Sequence, residues 1–109
     1  MTRPVVATPL FARRLQAFLD EYADKGATRF LARLRASFAT MRENLAEFEA
    51  IAPARRRTVG GRTLTLREYV LDAGAREFVV LYWVPPDPAE PVLLLNLRIG
   101  GQIRFRWTR

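Results

Sequence analysis

The chain has 109 residues, half of them hydrophobic, with a formal net charge of +7. That is enough for one two-layer core and too little for a second domain of similar size, and the apolar content argues against disorder. Cys and His are both absent. This excludes disulfides and thiol chemistry, and with them the usual zinc ligands and the usual general base. We therefore expect no metal and no cofactor. No apolar run approaches the length of a membrane helix, and no signal-peptide core follows Met1, so the expected setting is cytoplasmic with no membrane partner.

Pro4 to Ala7 reads as a short first strand. Thr8-Pro9 then opens a helix, because Thr suits the N-cap and Pro suits the first helical position, where its missing N–H costs nothing. Phe11, Leu15, Phe18, Leu19 and Tyr22 follow on one stripe, and Gly26 supplies a C-terminal stop. A longer helix covers about residues 28–50, with Phe30, Leu31, Leu34, Phe38, Met41, Leu45 and Phe48 as its stripe and Pro53 as its end. The short connection predicts an antiparallel helical hairpin.

Residues 52–62 read as the mobile loop of the chain. Residues 63–71 alternate as a half-buried strand, and Asp72 to Ala75 turn the chain. Phe78 to Val84 is a nearly unbroken apolar run, as in a central strand. Pro85, Pro86 and Pro88 enforce a loop, Val92 to Ile99 forms the next strand, and Gly100-Gly101 turns again. Gln102 to Trp107 is a short last strand or an ordered tail. The expected class is α+β: an N-terminal strand, a helical hairpin, then a mainly antiparallel sheet that receives the helices.

The basic residues are unevenly spread. One cluster is Arg55, Arg56, Arg57, Arg62 and Arg67, opposed locally only by Glu68. A second is Arg98, Arg104, Arg106 and Arg109, with no acid among them. If both fall on one face, the domain carries a basic site for a polyanion or an acidic partner. Phe105 and Trp107 alternate with Arg104 and Arg106. Either this forms an aromatic and arginine contact surface, or Phe105 and Trp107 pack inward while the arginines face water. Arg55-Arg56-Arg57 is a solvated run or a docking patch for an acidic segment.

Residues 67–98 resemble the RelE/ParE toxin superfamily. Arg67-Glu68, Gly74, Phe78, Leu81-Tyr82 and the apolar strand ending in Arg98 stand in the family's order, and Pro9 to Leu15 is similar to its helix opening. The element order is similar too. The resemblance implies a toxin paired with an antitoxin in a hetero-oligomer. Its target would be DNA gyrase (ParE-like) or the ribosome and its mRNA (RelE-like ribonucleases). The family segment usually continues with His after the strand-ending Arg; here Ile99 follows, and Phe105 takes the place of a Tyr. A ribonuclease would draw on Arg67, Tyr82 and Arg98, with Glu68 or Tyr69 as further proton-moving groups. The second half supplies no matching Lys or His, and Arg is too weak an acid to shuttle protons. This favours a gyrase inhibitor, closer to ParE, over an enzyme. A catalytically silent binding module with the same fold is the third reading.

Overall fold

A computed structural model describes residues 2–74, 76–102 and 104–107. The elements run β1 (Val5–Ala7), α1 (Pro9–Asp24), α2 (Thr28–Glu47), β2 (Ala54–Val59), β3 (Arg62–Asp72), β4 (Glu77–Trp83) and β5 (Val92–Ile99). The class is α+β. The strands form one five-stranded mixed sheet in the order β1-β5-β4-β3-β2. Among the described residues only β1 runs parallel to its neighbour; the β5–β4, β4–β3 and β3–β2 pairs are antiparallel. No helix among the described residues is long and apolar enough to cross a membrane.

The Thr8 hydroxyl caps α1 by accepting from the Phe11 N–H and donates to the Leu94 carbonyl at 2.8 Å, tying the helix start to β5. Pro9 occupies the first turn. After α1, Gly26 takes a positive φ of 68°, a conformation that costs Gly little, and the chain reverses into α2. The two helices pack their apolar stripes on one face of the sheet. Phe78 on β4 is the hub, with Phe18 edge-on at 5.3 Å between ring centroids and Tyr22 at 6.5 Å. Phe11 and Phe38 meet edge-to-face at 6.0 Å across the hairpin. Such geometry lets the positive ring edge meet the negative face of the next ring.

Two boundaries differ from the sequence reading. The second helix ends at Glu47, not near residue 50, and Phe48 is exposed rather than in the core. The backbone beyond it is pinned to the sheet instead of continuing the helix. The Tyr82 hydroxyl donates to the Glu49 carbonyl at 2.8 Å, and Arg67 donates to the Ala52 carbonyl at 2.6 Å. The second difference is larger. Residues 52–62 are not a mobile loop, because most of them form β2 and its turn. Gly60 and Gly61 both adopt positive φ, 58° and 77°, which matches the twist of a two-residue hairpin turn. Arg55 to Arg57 extend along β3 because their aliphatic stems can lie on the sheet while their charged ends reach polar groups.

The strand β5 carries a bulge. Leu81 pairs with Asn96 but Tyr82 pairs with Leu94, so Leu95 is the extra residue. The Asn96 side chain repairs the broken ladder by accepting from the Leu97 N–H at 2.8 Å. The proline-rich loop before β5 is held from the other end of the chain. Arg3 donates to the carbonyls of Pro85, Asp87 and Glu90 at 2.7–2.9 Å.

Candidate binding face of the sheet

Side chains alternate across a strand, so burying one sheet face under helices leaves the other to a different partner. On β3 the second face carries Leu64, Leu66 and Glu68. Their register partners on β2 place Arg55 opposite Leu66 and Arg57 opposite Leu64. Val79 and Leu81 come from β4, and Asn96 and Arg98 from β5 as the partners of Leu81 and Val79. A small apolar cluster of Leu66, Val79, Leu81 and Phe105 lies here, apart from the helix-side core. Among the described residues its cover is the C-terminal segment.

Glu68 is the polar centre of this face. Its carboxylate receives Arg55 Nε at 3.0 Å and an Arg57 terminal nitrogen at 3.1 Å on one oxygen, and Arg98 at 3.4 Å on the other. Three guanidinium groups thus share one carboxylate, which leaves positive charge in excess. The pairs are not equivalent. Arg55 is 65% exposed, so water screens its contact, whereas Arg98 and Glu68 are largely shielded. Arg57 and Arg98 also flank the Phe105 ring, with their guanidinium carbons 5.7 and 5.0 Å from its centre. The ring's π electrons attract both charges. The Nε atoms of Arg57 and Arg98 are buried without a hydrogen-bond partner among the described residues. Arg98 also donates to the Gln102 carbonyl at 2.6 Å, and the fully buried Asn96 amide donates to the Arg106 carbonyl at 2.6 Å. These two bonds fasten the C-terminal segment over the face.

Between β2 and that segment lies an open cleft of about 510 Å³, lined by Arg56, Arg57, Thr58, Val59, Arg104, Phe105 and Trp107. No acid lines it. Trp107 is 43% exposed while Phe105 is buried, so one aromatic of the pair packs inward and the other stays available. The two sequence clusters therefore meet in part. Arg55, Arg57 and Arg98 converge on Glu68, and Arg56 and Arg104 border the same cleft. Arg62 sits exposed at the hairpin end. Arg106 borders a different hollow with Arg14, Phe18 and Gln102. Burial, and then the nearby Arg106 charge, press the Arg14 pKa below its usual value. Arg109 lies outside the described residues.

Of the residues a ribonuclease would draw on, Glu68 and Arg98 meet on this face, whereas Arg67 and Tyr82 do not join them. Arg67 and Tyr82 are register partners on the helix-side face, and both bind the backbone of Ala52. Arg98 projects from the opposite face. Tyr82 is fully buried, its hydroxyl taken up by Glu49 and Ala52, and burial raises its pKa above the ordinary value. Tyr69 accepts a hydrogen bond from Asn44 on α2. Among the described residues, no group of three or more Asp or Glu side chains is placed to hold a metal ion.

No protein-family model, curated protein or solved structure matches the chain.

Asn96 was not singled out by sequence reasoning, although a lone amide inside Leu94-Leu95-Asn96-Leu97 was the available signal. A buried Asn must be satisfied, and here it spends one end on the bulge and the other on the tail.

Proposed function

We propose that this chain is a RelE/ParE-type toxin of the ParE kind, acting in the cytoplasm by binding DNA gyrase and neutralised by a cognate antitoxin in a hetero-oligomer. The observation that carries the reading is the sheet face opposite the helices. Arginines from two distant stretches gather there beside Phe105 and an exposed Trp107, while Tyr82 is sealed on the other face. Such a surface binds and stabilises negative charge through planar guanidinium forks, and its central carboxylate, Glu68, is taken up by Arg55, Arg57 and Arg98. The element order, a strand, a helical hairpin and then a strand meander, also agrees with the layout expected of that superfamily.

The ribosome-dependent ribonuclease reading is weaker, because it needs Arg67, Arg98 and a Tyr or Glu on one phosphate: Arg67 and Tyr82 sit on the helix-side face and Arg98 on the other, where Glu68 is already paired with three arginines. The test is addition of purified, antitoxin-free protein to a gyrase supercoiling reaction. Inhibition or trapped DNA breaks support the gyrase reading. Unaffected gyrase together with cleaved transcripts on toxin-bound ribosomes replaces it with the ribonuclease reading. If neither appears and expression does not slow growth, the silent binding module stands.

A further inference from the structure

The two edges of the sheet are treated differently. At the β1 edge, Arg42 on α2 donates to the Val5 carbonyl at 2.7 Å, and the Arg3 N–H donates to the Ala46 carbonyl at 2.8 Å. That edge is capped by the helix. At the other end β2 pairs with β3 on one side only, and no strand adjoins its outer side among the described residues. An open strand edge is a row of unspent donors and acceptors, and folds normally cover it or guard it.

The register says which groups are open. In a hairpin closed by a two-residue turn, the pair flanking the turn is hydrogen-bonded, and the pattern then alternates. Val59, Arg57 and Arg55 therefore spend their main-chain groups on β3. Thr58, Arg56 and Ala54 direct theirs outward. The same stretch carries Arg55, Arg56 and Arg57, and the cleft beside it adds Arg104 and Trp107. We propose that the free edge of β2 accepts an extended acidic peptide as a sixth strand of the sheet. Its alternate side chains would enter the cleft between β2 and Arg104, Phe105 and Trp107. Backbone pairing supplies the affinity, and acids opposite the arginines, with an apolar residue near Val59 and Trp107, supply the selectivity.

Charge decides between occupants. A second copy of this chain would bring the same arginine-rich strand against itself, with like charges directly opposed at a net charge of +7 per copy. A nucleic acid meets the charges but cannot continue the backbone ladder. An acidic strand satisfies both. Equating that strand with the neutralising partner rests on the toxin reading above; the strand site itself does not.

The probe is a synthetic peptide of alternating Glu and Val, about six residues long as in an ordinary strand, added to the full chain. Hydrogen exchange is followed at single amides. The expected result is slowed exchange at Arg56 and Thr58, with Arg55 and Arg57 unchanged. The same peptide N-methylated on alternate amides keeps its charge, and should bind about tenfold more weakly or worse because its ladder donors are gone. Equal binding of both peptides, or binding without protection of Arg56 and Thr58, overturns the proposal in favour of charge attraction alone. A single-stranded oligonucleotide that displaces the peptide and protects the same two amides also overturns it. Peptide protection together with unaffected gyrase removes the target reading and leaves the strand site standing; gyrase inhibition without protection does the reverse.

Discussion

The carboxylate of Glu68 and the guanidinium of Arg98 lie 3.4 Å apart although strand β4 runs between their own strands. Arg98 spans that strand over Val79 and Leu81, and so joins β3 to β5 on the face the helices do not cover. Replacing the acid leaves charges partly buried without their counterion. Glu68→Gln should destabilise the fold by about 2–3 kcal/mol, as expected when one partner of a shielded ion pair is removed. Arg55→Ala removes only an exposed contact and should cost under about 1 kcal/mol. Urea unfolding of both variants separates the two.

Asn96 decides where the C-terminal segment rests. Asn96→Leu keeps the branched outline but leaves the Leu97 N–H and the Arg106 carbonyl without their partner, at a cost of about 1–3 kcal/mol. The local effect should exceed the global one. Amide exchange at Arg106 and Trp107 should speed up far more than exchange in α1, and equal acceleration everywhere would show that the segment is not separately latched.

Tyr82 gives the fold an alkaline limit. Its pKa is raised in the folded chain, chiefly by burial, so the folded state holds the phenolic proton more tightly than the unfolded state does. The associated stability is complete below the ordinary value of 10.0 and is lost as pH rises from there through the folded value. Urea midpoints should therefore fall from about pH 10 upward through this group. Tyr82→Phe should flatten that part of the decline while costing about 1–2 kcal/mol at neutral pH, because Glu49 and Ala52 lose their shared partner. An unchanged alkaline slope in Tyr82→Phe would assign the decline to other groups.

The hairpin that forms one wall of the cleft depends on its turn. Gly61 has a φ of 77° and open space around it, so Gly61→Ala meets no steric neighbour and should cost only the backbone strain, roughly 1–2 kcal/mol. Gly26→Ala probes the same strain at a site away from the cleft, and only Gly61→Ala should weaken Glu-Val peptide binding.

Much of this architecture is written in periodicity. The stripes from Phe11 to Tyr22 and from Phe30 to Leu45 place both helices, and the apolar run from Phe78 marks the central strand. The sequence reading failed where charge and conformation pull apart. Arg55-Arg56-Arg57 looks like a solvated loop by composition, yet Gly60-Gly61 followed by the alternation of β3 is a hairpin signal that composition hid. The bulge at Leu95 could not be read from a run of leucines, because extra residues leave no trace in an unbroken apolar pattern. Since the bulge and the register decide which way each side chain faces, the separation of Tyr82 from Arg98 was not visible either. The convergence of the two arginine clusters was posed by the sequence only as a condition, and the strand order meets it for Arg55, Arg57 and Arg98.

On the proposed reading, the arginine-lined face disables gyrase by binding. The most direct measurement titrates purified protein into a supercoiling reaction, with Arg104→Ala and Trp107→Ala alongside, each first shown to unfold at the wild-type urea midpoint. Inhibition by the wild type is expected, with a loss of about tenfold or more in potency for each variant, as for anchor residues of an interface. Folded wild-type protein that leaves supercoiling untouched at saturating dose would contradict it.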